Sequence, residues 1–221
     1  MISPRSFAAC VLCACSAVSA CRPAPQPHVV VAGADSAETR ALSAAAGSVE
    51  RHGDTLRITG TDKVSARLVD DTTGGEDYHV LRYDGRVARS PFHGVALSYF
   101  EGRAYLLVHE RTARQSRVDA RPLPSPSGRW LATASLDLEA GFDPNALVIL
   151  QATGDTVVTV WSITPARWGP DSMAWRGDDT LLVVQRWVTN SGPGHYARRE
   201  ARVARNVSGW LLEPPDTTAG P

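Results

Sequence analysis

The eight residues from Ser125 to Ala132 read Ser-Pro-Ser-Gly-Arg-Trp-Leu-Ala, a cluster of turn-forming residues followed at once by apolar ones. Proline and glycine in this order favour a tight turn, and the run from Trp130 to Leu136 has the composition of a β-strand. The same succession of turn residues and a strand-like run recurs at intervals of roughly 8 to 15 residues from residue 48 onward. No amphipathic helical pattern separates these runs, which favours antiparallel strands over a parallel α/β sheet.

The runs therefore predict an all-β domain over residues 48–213, built of antiparallel tandem hairpins. The alternating run Thr55–Thr59 is one predicted strand. Two further strands, 78–83 and 86–88, are predicted to be joined as a hairpin by Asp84-Gly85, a dipeptide typical of such turns. A β-sandwich or an open meander is the alternative arrangement. Residues 214–221 are expected to form a disordered tail.

The stretch around Pro126 also resembles the Ser-Pro-Asp-Gly-x-x-Leu-Ala signature of TolB-type and WD-like β-propeller blades, with Ser127 where aspartate is usual. Residues 168–172 look like a second copy, because Pro170 follows Pro126 by 44 residues. Ser90-Pro91 begins a fainter third copy. The resemblance covers residues 90–213 and implies a propeller-like fold.

At roughly 40 residues per blade, the β-rich domain has room for about four blades. Four is the lower limit for a closed ring. An incomplete ring that a partner chain closes, or a curved stack with capped edges, is the alternative.

The first 20 residues have the pattern of a secretory signal peptide. Arg5 precedes an apolar run from Phe7 to Ala20 that is too short to span a bilayer comfortably. The run ends in Val18-Ser19-Ala20-Cys21, which resembles a bacterial lipobox. This resemblance implies that Cys21 is linked to diacylglycerol and becomes the N-terminus of an envelope lipoprotein. In lipoproteins of this kind, aspartate after the cysteine is the signal for retention in the inner membrane, so the resemblance with Arg22 at this position implies the outer membrane. An ordinary signal peptide cleaved after Ala20 is the alternative.

Charge and cysteine content exclude several classes of function. The chain has 23 basic and 23 acidic residues, which is not the charge balance of a nucleic-acid-binding protein. The cysteines all lie in the first 21 residues. A chain cleaved before Cys21 keeps only that cysteine, so disulfides and thiolate catalysis are not expected in its folded part.

Residues 21–47 are predicted to be a lipidated tether followed by a short helix. Alternating prolines at positions 23, 25 and 27 favour an extended chain. Asp35 is predicted to be the N-cap of the helix, with Glu38 completing a capping box. Gly47 is predicted to end the helix.

The loop 137–145 is the candidate metal site. Its oxygen-bearing side chains could surround a calcium ion, which takes six to eight oxygen ligands: Asp137, Glu139, Asp143 and Asn145. The spacing is not that of an EF-hand. The alternative is a polar loop in which Asp143 starts a turn before Pro144.

Trp187 and Tyr196 are the candidate binding residues. They flank the glycine-rich loop 190–194 and are predicted to form an aromatic ledge for sugar rings or peptide. The alternative is that the six tryptophans, which all lie in the C-terminal half, are packing residues.

No catalytic residue can be nominated, since neither Gly-x-Ser-x-Gly nor His-Glu-x-x-His nor a phosphate-binding loop is present. We therefore expect a membrane-tethered envelope lipoprotein whose β-rich domain binds a protein or a cell-wall component. An envelope hydrolase with a loop-borne site, or a structural lipoprotein without a ligand, is the alternative.

Overall fold

The computed structural model describes residues 32–139, 141–189 and 194–214. The predicted signal peptide, the lipidation residue Cys21 and the proline-rich part of the tether lie outside the described residues, as do residues 215–221. Helix α1 spans Ala32–Ala44. Among the described residues, no helix has both the length and the hydrophobicity needed to cross a membrane.

In the described residues, four antiparallel sheets follow the helix, and each is made of strands that are consecutive in the chain. Sheet 1 has three strands: β1 Val49–His52, β2 Thr55–Thr59 and β3 Ser65–Val69. Sheet 2 has four: β4 His79–Arg86, β5 Phe92–Tyr99, β6 Arg103–His109 and β7 Gln115–Val118.

The next two sheets repeat the four-stranded pattern. Sheet 3 contains β8 Leu123–Pro124, β9 Trp130–Ser135, β10 Ala146–Thr153 and β11 Thr156–Ile163. Sheet 4 contains β12 Trp168–Trp175, β13 Thr180–Val188, β14 Tyr196–Asn206 and β15 Gly209–Glu213. The predicted all-β fold of antiparallel tandem hairpins is confirmed, and the succession of four such meanders is propeller-like.

Three apolar clusters join the sheets in chain order. Cluster A lies between sheets 1 and 2 and includes Ile58, with Leu42 of helix α1 packed against it. Cluster B lies between sheets 2 and 3 and includes Leu107 and Leu131. Cluster C lies between sheets 3 and 4 and includes Leu181. Each cluster therefore buries one face of a sheet against the next sheet along the chain.

The predicted hairpin at Asp84-Gly85 is wrong. Strand β4 continues through this dipeptide to Arg86, and the chain reverses only at residues 87–91. Gly85 has a φ of +98°. A glycine with positive φ occurs in β-bulges as well as in hairpin turns. The dipeptide therefore marks an extra residue within the strand.

The turn that contains Pro126 connects the first and second strands of sheet 3, whereas Pro170 lies inside strand β12. The corresponding turn of sheet 4 is residues 176–179, so the second copy of the repeat differs in register from the prediction. The equivalent turns touch one another. The Ser127 N–H donates to Asp178 Oδ1 at 3.0 Å, and Gly128 lies against the backbone of Arg89.

Helix α1 begins at Ala32, three residues before the predicted cap at Asp35, so the predicted capping box is wrong. The Glu38 side chain turns inward instead: its Oε1 accepts the Tyr83 N–H at 2.9 Å and lies 3.0 Å from Arg51 Nε. Arg51 also donates to the Leu81 carbonyl at 2.7 Å. Side chains of the helix and of sheet 1 thus satisfy backbone groups on the free edge of β4.

Candidate functional site

The bulge in β4 places Asp84 at the boundary between sheets 2 and 3. Tyr83 pairs with Val95 and Gly85 pairs with Gly94, which leaves Asp84 without a partner in the neighbouring strand. A bulge of this kind re-aims the side chain of the extra residue. The Asp84 carboxylate is directed into an opening that we call the interblade crevice.

Two side chains from other segments fix this carboxylate. The Tyr105 hydroxyl on β6 donates to Asp84 Oδ2 at 2.6 Å. Arg121 Nε, from the connection between β7 and β8, lies 2.8 Å from the same oxygen. A charge-assisted hydrogen bond of this length holds both partners in a defined geometry.

Gly94 makes room for the tyrosine. A Cβ atom at this position would lie 2.0 Å from the Tyr105 hydroxyl oxygen and 2.7 Å from the ring carbon that carries it. Only glycine allows the phenol to lie across β5 and reach Asp84.

The site combines a buried donor with accessible charges. Burial, followed by the hydrogen bond to Asp84, raises the pKa of Tyr105 far above its usual value, so the phenol stays protonated and donates. The Asp84 side chain is 29% exposed and that of Arg121 is 72% exposed. The carboxylate and the guanidinium are thus both reachable by a ligand from solvent.

The interblade crevice consists of two cavities that share Asp84, Tyr105 and Arg121. The first, of about 410 Å³, also contacts Arg86 and Met173. The second, of about 480 Å³, is lined by further polar residues: Ser98, Arg103, Asp119, Ser135 and Asp143. Charges of both signs and several hydroxyl groups therefore face the same space.

The opposite face of sheet 2 carries an uncharged polar pair. The Tyr83 hydroxyl lies 2.8 Å from His93 Nδ1. Burial, with a smaller effect of Arg86, lowers the pKa of His93 to about 4. Burial also raises the pKa of Tyr83 to about 12. Both groups are therefore neutral at neutral pH, and the pair supports β4 without adding charge to the core.

The predicted calcium-binding side chains are engaged with backbone groups. Asp137 Oδ2 accepts the N–H groups of Phe142 and Asp143, at 2.7 and 3.1 Å. Asn145 Oδ1 accepts the Asp137 N–H at 2.8 Å. Asp143 Oδ1 accepts the Arg103 N–H at 3.1 Å, so this loop forms one wall of the crevice.

Glu139 is directed elsewhere, to the Tyr196 hydroxyl at 3.0 Å and the Gly194 N–H at 3.2 Å. Across the described ranges, no group of three or more histidine, cysteine, aspartate or glutamate side chains is arranged to hold a metal ion. Calcium binding by the loop 137–145 stays a prediction.

The structure does not bring Trp187 and Tyr196 together on one surface. Trp187 is 5% exposed and packs in cluster C, with its ring 6.4 Å from that of Trp168. Tyr196 pairs with Val188 on the opposite face of sheet 4, and Arg186 lies 4.5 Å above its ring. Residues 190–193 of the intervening loop lie outside the described residues.

Comparison with known proteins finds no matching family model and no matching curated protein. The sequence marks Asp84 only as a turn residue in Asp84-Gly85 and does not single out Tyr105 or Arg121; no motif links the three residues. The one local signal is Gly94, since an isolated glycine inside an apolar strand indicates close approach of another group.

Proposed function

We propose that this chain is a membrane-tethered envelope lipoprotein whose β-rich domain binds a polar ligand in the interblade crevice. The observation that supports binding most directly is the Asp84 carboxylate, held by a buried tyrosine and an exposed arginine where two cavities meet. Support for the tether comes from the sequence Val18-Ser19-Ala20-Cys21, which resembles a lipobox.

The chemistry of the crevice selects the ligand class. Arg86, Arg103 and Arg121 offer N–H donors to carboxylates, and Asp84 and Asp119 accept from ammonium or hydroxyl groups. A ligand with both amino and carboxyl groups matches this mixture. Among envelope materials, the peptide part of the cell wall has this chemistry, so we propose soluble cell-wall fragments as the ligand.

Isothermal titration calorimetry of the full chain in detergent with soluble cell-wall peptide fragments tests this proposal. Asp84→Asn is expected to weaken binding at least tenfold, because it removes the charge that orients Arg121. The matched control is Asp62→Asn, which also removes the carboxylate of an exposed ion pair, in this case with Arg111. An absence of heat with the wild type, or equal affinity of the Asp84→Asn variant, would reject the proposal. If the fragments recovered from the titration cell were hydrolysed, the proposed function would be a hydrolase activity instead of binding alone.

The tether is tested separately with Cys21→Ser. We expect the wild-type chain in the membrane fraction, with an N-terminal mass increased by the lipid, and the variant in the soluble fraction. An unmodified Cys21 in the membrane-bound protein would contradict lipidation without affecting the binding proposal.

A further inference from the structure

The two end sheets of the stack differ in the character of their outer faces. On sheet 1, Glu50, Arg57 and Arg67 form one cross-strand row on the outer face. Beside them, the hydroxyls of Thr59 and Ser65 lie 2.9 Å apart. This is the polar surface of an antiparallel sheet that faces water on one side.

The outer face of sheet 4 carries exposed apolar side chains among its polar ones. Leu182 and Val188 of β13 are 37% and 39% exposed, and the neighbouring Ala174 of β12 is exposed as well. Leu211 on the last strand is 49% exposed. A groove of about 590 Å³ runs over this face. Ala174, Leu182 and Val184 adjoin one another along this groove, and a contiguous exposed apolar patch indicates a contact surface.

The charged side chains on this face balance one another. Arg198 pairs with Asp171 at 2.7 Å, and Arg202 pairs with Glu213 at the same distance. Arg186 is 3.0 Å from Asp171. With Glu200, which pairs with Val184 on the same side of the sheet, three arginines face three carboxylates. A face without net charge does not repel a second copy of itself.

We infer that the outer face of sheet 4 binds the same face of a second copy of this chain, forming a two-fold symmetric dimer. In the described part of the chain, none of clusters A, B and C covers this face or joins sheet 4 to sheet 1. A head-to-tail contact would place apolar Leu182 and Val188 against the polar row of sheet 1 and leave its charges unpaired. Packing the face against itself lets the apolar side chains of the two copies meet and closes the assembly.

The size of the face sets the expected strength of the dimer. Strands β12 and β13 have eight and nine residues, and the sheet has four strands. At about 3.4 Å per residue and 4.8 Å between strands, the face covers about 500 Å² per partner. A total of about 1,000 Å² is the lower bound of a specific interface. The dimer is therefore expected to dissociate on dilution.

Sedimentation equilibrium of the full chain in density-matched detergent tests this inference. We expect a monomer–dimer equilibrium for the wild type and a dissociation constant at least tenfold higher for Leu182→Glu, which buries a charge in the contact. Ser65→Glu places the same charge on the outer face of sheet 1 and is expected to leave the dimer unchanged. A wild type that is monomeric up to about 100 μM, or a Leu182→Glu variant that dimerises normally, would overturn the inference. Circular dichroism melting verifies that both variants fold.

Cross-linking with a thiol-specific reagent about 10 Å long distinguishes the two orientations. The Val184→Cys variant is expected to form a covalent dimer above the background set by the wild type. A mixture of Val184→Cys and Ser65→Cys chains is expected to give no mixed product. A mixed product as abundant as the Val184→Cys dimer would overturn the two-fold arrangement in favour of head-to-tail assembly.

Discussion

Gly94 and Tyr105 occupy space that would overlap if residue 94 carried a side chain. Gly94→Ala is expected to lower the free energy of unfolding by about 2 to 3 kcal/mol, because the buried phenol must move or the strand must shift. Displacing the phenol would also release Asp84 from its donor. Urea denaturation measures the loss. In a Tyr105→Leu background, the penalty of the same substitution should be smaller; an equal penalty would show that the tyrosine is not the obstacle.

Protonation of His93 opposes folding in a defined pH range. Its pKa is about 4 in the folded chain, against an ordinary value of 6.5, so the unfolded chain binds more protons between these values. The contribution of neutral His93 to the free energy of unfolding is fully present above pH 6.5 and is lost as the pH falls towards 4. The loss amounts to at most about 3 kcal/mol.

Urea denaturation at a series of pH values measures this contribution. We expect the wild type to lose stability more steeply between pH 7 and pH 4 than His93→Gln, which cannot titrate but can still bond the Tyr83 hydroxyl. Parallel slopes for the two proteins would exclude His93 as the source.

At the scale of elements, the turns at one end of the sheets hold neighbouring sheets in contact. A Cβ atom on Gly128 would lie 1.6 Å from the Arg89 carbonyl oxygen, and the φ of Gly128 is +73°. Gly154 has a φ of +59° and open space around it. Alanine substitutions at the two glycines can therefore be compared: at Gly154 only the backbone conformation is affected, whereas at Gly128 the contact between sheets is affected as well.

We expect Gly154→Ala to cost about 1 kcal/mol of stability, which is the conformational term. Gly128→Ala should cost at least about 2 kcal/mol more, because the turn of sheet 3 must move away from that of sheet 2. Chemical denaturation of both variants gives the difference. Equal losses would mean that the contact between the turns does not stabilise the stack.

The sequence predicted elements best where one local pattern dominates. Within Thr55–Thr59 the apolar Leu56 and Ile58 are buried and the residues between and beside them are not, and the strand has these bounds. Asp84-Gly85 was misinterpreted because a positive φ serves a hairpin and a bulge equally well. Glu38 was misassigned because its partners, Arg51 and Tyr83, come from strands that only the tertiary structure brings to the helix. The crevice could not be predicted for the same reason: Tyr105 and Asp84 are 21 residues apart and form no motif.

At the scale of the whole molecule, the sheets form a series in which each contacts its neighbours. Stability in such an arrangement is approximately a sum of local terms. Leu181→Ala in cluster C should therefore raise amide hydrogen exchange in sheets 3 and 4 and leave sheet 1 protected. Ile58→Ala in cluster A should raise exchange in sheets 1 and 2 and leave sheet 4 protected. Both side chains are fully buried. Hydrogen exchange with mass spectrometry follows each sheet, and uniform loss of protection in both variants would indicate a single cooperative unit.

The two end sheets differ, and their order follows the chain: the sheet with the polar outer face is the first in the sequence, and the sheet with exposed apolar side chains is the last. Every sheet in the described residues pairs strands that are adjacent in sequence, so sheet 1 can form before the later sheets have been synthesised. Its outer side is already suited to water, and each sheet that follows covers the apolar side left by its predecessor. Vectorial growth of this kind exposes one apolar surface at a time, which limits aggregation of a partly emerged chain.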